Sequence, residues 1–302
     1  MPFEQQEDTV TILTPDGFDI EEALDSGQSF RYGKLGEGTF YLIAHGRILY
    51  ITQKGTNTYL HPCTQQEYNS IWRDYFDLSR DYTDIKQQLS QEDAYMSEAI
   101  SLAPGIRIMK QEKWECLISF IISANNRIPM IKQVVHNLSQ RFGEPIAGSE
   151  GFAQHLGLGG AVHAFPTPKA LASAREEDIL ACKAGFRSKY ISAAARLVHS
   201  GALDLDNAAL LPSTELRKAL IQVNGVGVKV ADCVMLLSYA RGDVFPIDVW
   251  IRRIMQEQYF GRQEMPLPKI QELATQKWGG LAGYANQYLF NFARANKIGT
   301  QK

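Results

Sequence analysis

The stretch Gln222–Val234, "QVNGVGVKVADCV", holds two glycines two apart, then a lysine, then an apolar helical pattern. The segment before it, "STELRKALIQV", puts Leu216, Leu220 and Val223 on one helical face. The segment after it, "KVADCVMLLSYA", is helical too. Only "NGVG" joins the two, so the spacing predicts a tight helix–hairpin–helix over about residues 214–241. Gly225 and Gly227 permit positive φ and let another backbone come close. The second helix turns its free N–H groups toward this joint, which makes an anion site that suits a DNA phosphate. From the glycines alone, a hairpin that binds nothing stays open.

Lys229 narrows the choice. In the first turn of a helix a cation meets the positive end of the macrodipole. One reading is a surface lysine that snorkels away at small cost. The sharper reading is that the field favours the neutral amine, a nucleophile able to form a Schiff base. Cys233 follows at i+4 on the same face, so Lys229 sits at the lip of a small, partly apolar pocket. Asp232 reads as a first-turn acid that favours the dipole. Further on, "DVFPIDVWIRRI" sets Asp248 directly before an amphipathic helix, where an Asp is usually a cap. A cap carboxylate at a pocket can also stabilise a cation or accept a proton. One helix and one turn separate Lys229 from Asp248, enough to bring both to one cleft.

Working outward, the 302 residues predict one large or two to three packed domains. Residues 9–60 read as strands and turns, with a turn at Pro15–Gly17 and one short helix. That helix begins at a capping box formed by Asp19 and Glu22 and stops at Gly27. From about Asp84 the period becomes helical. "KWECLISFII" is apolar on most faces, "SANNR" interrupts it, and "IPMIKQVVHNLSQRFG" restarts and stops at Gly143. Thr167 caps a helix with Pro168 at its first position. The chain is therefore expected to be α+β, with an antiparallel sheet domain over 1–98 and a helical region over 99–302.

Composition excludes several classes. Four cysteines without a CxxC pair argue against zinc ribbons and redox motifs, and predict free thiols in a reducing compartment. The polar, acidic start is not a signal peptide, and no apolar run is long enough for a membrane span. The net charge of −2 does not point to nucleic acid by itself, although local patches can still be positive. The "GLGG" at 157–160 lacks a following Lys-Ser/Thr and reads as a plain loop.

"VNGVGVKVADCV" followed by "FPIDVW" resembles the helix–hairpin–helix DNA glycosylases, and within them the 8-oxoguanine branch. "SGQSFRY", "YFDLSRDY", "GIRIMKQEKWECLISFIISANN", "KAGFRSKYI" and "AGYANQYLF" extend the resemblance over most of the chain. It implies a sheet domain like half of the TATA-binding protein, ahead of an all-helical catalytic region. It implies excision of 8-oxoguanine from duplex DNA by base flipping, with strand cleavage by β-elimination. By similarity Lys229 is the nucleophile and Asp248 stabilises the cationic sugar. The Gly27 carbonyl accepts the N7 hydrogen of the lesion, and Phe290 and Cys233 sandwich the flipped base. Asn125 fills the vacated stack, flanked by Asn126 and Arg127. Phe186 wedges the duplex, Arg187 contacts the orphaned cytosine, and Gly225 and Gly227 face phosphate.

The sequence departs from that pattern in three places. Asn286 stands where the family commonly has Gln for the base's Watson–Crick edge, and Gln287 beside it is an alternative. Met130 stands where eukaryotic members carry an arginine that reads the cytosine. Trp250 stands where those members have histidine, and these last two departures together point to a bacterial or archaeal branch. The expected partner is duplex DNA bound by a cytoplasmic monomer. No cofactor or protein-ligated metal is expected, though a cation bridging the hairpin to a phosphate stays open. The runner-up is a relative for another damaged base. Those acting on oxidised pyrimidines or mispaired adenine typically carry four clustered cysteines near the C-terminus, whereas no cysteine follows Cys233 here. A non-catalytic DNA-binding module is a further alternative that Lys229 and Asp248 disfavour.

Overall fold

The computed structural model describes residues 8–13, 17–91, 93–155 and 160–299. The turn read at Pro15–Gly17 and the loop read at 157–160 fall mostly outside the described residues, as do residues 1–7 of the N-terminal stretch. Five antiparallel strands form one sheet: β1 Val10–Leu13, β2 Tyr32–Gly36, β3 Thr39–Ala44, β4 Arg47–Lys54 and β5 Asn57–His61, in the order β1-β5-β4-β3-β2. Alternation decides which face is buried. Phe40, Leu42, Leu49, Ile51 and Leu60 point to one side, where Ile20, Leu24, Trp72 and Phe76 complete a core. Tyr41 and Tyr50 point to the other and meet Phe152 edge-on, with ring centroids 5.1 and 5.2 Å away. A segment of the helical region therefore covers the sheet's second face.

Helices make up most of the chain after the sheet. The apolar run forms Lys113–Ser123, buried on nearly every side. The expected break follows, with Asn125 at φ 50°, and the next helix, Ile128–Phe142, ends on Gly143. Thr167 caps Pro168–Ser173 through its side chain.

Two expectations are corrected. Asp19 Oδ1 accepts from the Glu22 N–H at 2.9 Å, yet Glu22 does not return the bond. Its carboxylate accepts from the Gly105 N–H at 2.6 Å, so the box is half formed and ties the sheet layer to the helical layer. The division after residue 98 falls inside the helix Ala94–Leu102. Packing is the reason: Phe30, Tyr82, Ile85 and Leu89 already belong to the helical core, while Met109 joins the sheet core. Among the described residues, no helix is long and apolar enough to cross a membrane.

Candidate active site

The hairpin is built from the helices Ser213–Ile221 and Val228–Tyr239. Leu216, Leu220 and Val223 are buried, as their spacing requires. Asp232 is not a first-turn acid. It is 1% exposed and pairs with Arg217 Nε at 2.5 Å, stapling one helix to the other. Burial raises its pKa, and the hydrogen bond from Arg217 pulls the other way. Removing one partner of such a pair would leave a buried charge uncompensated.

The two glycines serve different ends. Gly225 has φ 87°, and a Cβ there would lie 2.6 Å from the Tyr190 ring. Gly227 is extended, at φ −94° and ψ −179°, and a Cβ there would meet nothing within 4 Å. No side chain caps the helix that starts after it. The N–H groups of that first turn therefore face an open approach, the arrangement an anion needs.

Beside the hairpin lies a cavity of about 690 Å³. The Gly27 turn, the end of the 113–123 helix, the 228–239 helix, the Asp248 turn and the 282–295 helix all line it. Lys229 and Asp248 both do so, as the short connection between them allowed. Lys229 Nζ lies 5.3 Å from the centre of the Phe120 ring. Burial pushes the Cys233 thiol up to about 11, against the pull of the Lys229 ammonium. Asp248 is a true cap, accepting from the Ile251 N–H at 2.8 Å. Burial raises its pKa, while that N–H and the charge of Lys229 hold it down. An amine and a partly desolvated carboxylate thus share one cleft.

The cleft's far wall joins two distant parts of the chain. Gly27 has φ 78°, and a Cβ there would come within 3.0 Å of Phe290. The positive φ favours glycine, and any side chain there would press on the Phe290 ring. Asn286 and Gln287 are buried, and each amide already has a protein partner. Asn286 Nδ2 donates to the Pro246 carbonyl at 2.9 Å, and Gln287 Nε2 donates to the Ser26 carbonyl at 2.7 Å.

At the rim, Asn125 is exposed, as are Arg127 and Met130, and Trp250 is half-buried. Asn126 acts locally, donating to the Ile122 carbonyl at 3.2 Å and accepting from the Arg127 N–H at 2.9 Å. Phe186 is 53% exposed and meets Tyr190 edge-on at 6.1 Å. Tyr190 is the ring that excludes a side chain at Gly225, so Phe186 and the hairpin share one support.

Arg187 differs from its expected setting. It is only 8% exposed. Nε and Nη2 donate to the Ala124 carbonyl at 2.9 and 2.5 Å, Nη2 to that of Asn125 at 2.9 Å, and Nη1 to that of Ala184 at 3.4 Å. The left-handed turn at Asn125 leaves carbonyls in need of donors, and the guanidinium supplies them. One Nη1 hydrogen remains for any base.

Sequence reasoning missed several contributors. Phe120 sat in an unbroken apolar run, so no period singled it out. Gln28 is buried: its Nε2 donates to Ser26 Oγ and to the Arg107 carbonyl, and its Oε1 accepts from the Met109 N–H, all at 2.8 Å. Nothing in "SGQSFRY" signals that role. Among the described residues, no group of three or more His, Cys, Asp or Glu side chains could hold a metal.

The model of the 8-oxoguanine DNA glycosylase N-terminal domain matches residues 11–117. That of the HhH-GPD superfamily base excision DNA repair proteins matches residues 118–279. An 8-oxoguanine glycosylase/lyase of Clostridium acetobutylicum has been solved with double-stranded DNA containing cytosine opposite 8-oxoguanine. It is 35% identical, superposes with a TM-score of 0.91, and the match covers 98% of both chains. MBOgg1, solved with a low-affinity DNA ligand, is 39% identical with a TM-score of 0.91, over 97% of this chain and 98% of the other. A probable N-glycosylase/DNA lyase of Methanothermobacter thermautotrophicus is 29% identical over 243 residues, 74% of each protein.

Proposed function

The chain belongs to the HhH-GPD superfamily of base excision DNA repair proteins, and from that premise we propose that it excises 8-oxoguanine from duplex DNA and then cleaves the strand. The observation that carries this reading is the meeting of Lys229 and Asp248 in one cavity walled by Gly27 and Phe290.

The lesion is flipped out of the stack and enters the cavity. Stacking on Phe290 contributes ~1–3 kcal/mol, with Cys233 lining the same space. The Gly27 carbonyl accepts the N7 hydrogen of the lesion. Guanine has no hydrogen at N7 and would leave that carbonyl unpaired, at roughly 1–3 kcal/mol. The Lys229 lone pair attacks C1′, and the C1′–N9 bond breaks. The base departs with the electron pair and takes up a proton. Opening of the sugar ring gives an iminium between Nζ and C1′. Loss of a C2′ proton then expels the 3′ phosphate. Asp248 stabilises the positive sugar and assists proton transfer, an electrostatic role made stronger by partial desolvation. Asn125 fills the gap in the stack, Phe186 wedges the duplex, and the Gly227 turn takes a backbone phosphate.

The reaction runs on an amine and a carboxylate and needs no bound cofactor. A cation bridging the hairpin to a phosphate remains part of the proposal. We assign the work to the cytoplasm, at nucleoid DNA. The test is a duplex carrying one 8-oxoguanine opposite cytosine, treated with and without borohydride. Base release with a reduced covalent adduct is expected; base release without any adduct would overturn the lysine mechanism.

A further inference from the structure

We infer that Gln287 and Arg294 are positioning residues that set the Gly27 carbonyl for the lesion, an inference that rests on the reading above. Gln287, Phe290 and Arg294 lie at i, i+3 and i+7 on the helix Ala282–Ala295, which places them on one face. Phe290 is the platform for the base. The residues on either side of it hold the turn that opposes it. Gln287 Nε2 donates to the Ser26 carbonyl at 2.7 Å, one peptide before the Gly27 carbonyl. Arg294 Nη2 donates to the Asp25 carbonyl and reaches Asp25 Oδ2 at 2.8 Å. Helix and turn are thus joined on both sides of the ring, and a Cβ on Gly27 would come within 3.0 Å of it.

The two holds differ in strength. The Gln287 bond is buried, so breaking it leaves a carbonyl unpaired without water. The Arg294 contacts are exposed, with Asp25 70% accessible, and solvent screens them. Gln287 therefore dominates, and Arg294 adds a smaller restraint. Neither side chain needs to touch the base. A single backbone acceptor must be held to within about half an ångström to tell one hydrogen from none. Direct contact of Gln287 with the base edge would require its amide to leave Ser26.

The test separates base recognition from lysine chemistry. Single-turnover release of 8-oxoguanine is measured beside cleavage at a preformed abasic site, which has no base to position. Gln287→Ala and the similarly long Gln287→Met, neither of which can donate to Ser26, should each lower base release roughly tenfold. Abasic cleavage should stay within about twofold, because Lys229 and Asp248 are untouched. Arg294→Ala should lower base release about threefold or less. Affinity for 8-oxoguanine over guanine, compared in Lys229→Gln backgrounds, should fall with base release. Equal losses in both activities, or no loss in either, would overturn the inference. Failure of the wild type to release 8-oxoguanine would instead sink the functional reading itself.

Discussion

Replacing each hairpin glycine by alanine should have opposite consequences. Gly225 stands at φ 87° against the Tyr190 ring, and an added Cβ would lie 2.6 Å from it. Holding alanine in a left-handed conformation costs about 1–2 kcal/mol. Forcing a methyl into packed space adds about 1–3 kcal/mol. Gly225→Ala should therefore lose about 2–5 kcal/mol, a melting midpoint lower by roughly 4–10 °C for a chain of this size. Gly227 is extended, and its Cβ would meet open space. Alanine is a poorer N-cap by roughly 0.5–1 kcal/mol, while the stiffer unfolded chain returns about 0.4–1 kcal/mol. The fold of Gly227→Ala should be close to neutral. Its methyl, however, would stand in the open approach to the first-turn N–H groups, where the proposed function places a phosphate. Losing one charge-assisted hydrogen bond, about 1.5–3 kcal/mol, would weaken DNA binding about tenfold or more. Thermal denaturation and duplex titration at fixed salt measure the two effects. A stable Gly225→Ala protein, or a Gly227→Ala protein that binds DNA normally, would refute the division of labour.

Lys229→Gln should abolish borohydride trapping and lower base release by orders of magnitude while duplex binding survives, and efficient trapping by this variant would exclude Lys229 as nucleophile. Asp248→Asn should slow excision with near-normal binding. The Asp248 carboxyl titrates above its ordinary value because it is buried, so wild-type excision should fall as pH drops through that raised value. The asparagine variant should lack this acid limb, and an unchanged profile would leave Asp248 as a cap alone. Met130 cannot donate, and Arg187 has most of its donors engaged by the Asn125 turn. Cytosine opposite the lesion should therefore be preferred only modestly, and Met130→Arg should sharpen the preference in single-turnover assays against all four bases. Glu115 is pushed up to about 7 by burial, against the pull of Arg31 at 3.6 Å. A raised folded-state value means its stabilising contribution is full below the ordinary carboxylate range and lost as pH rises through about 7. Glu115→Gln should gain stability relative to wild type between pH 5 and pH 8, and a gap that does not change with pH would contradict this.

The elements legible in the sequence are those whose causes are local. The hairpin follows from two glycines between apolar helical periods. The cap at Asp248 rests on a side chain bonding to its own helix, and the break at Asn125 on a residue type that tolerates a left-handed turn. Strand alternation foretold the sheet but not the helix that covers its second face. What only the tertiary structure decided is which group each polar side chain meets. Asp232 could have faced the dipole, yet Arg217 on the neighbouring helix takes it. Arg187 has a fork suited to a base, yet the carbonyls of the Asn125 turn claim it. Gln287 reaches the Ser26 carbonyl from the other end of the chain. The boundary after residue 98 missed for the same reason, because both cores recruit residues from either side of it. Periodicity reports one buried face of one element. A buried amide or guanidinium satisfies whichever acceptor the packing brings near, and that choice is settled only when distant segments close on one another.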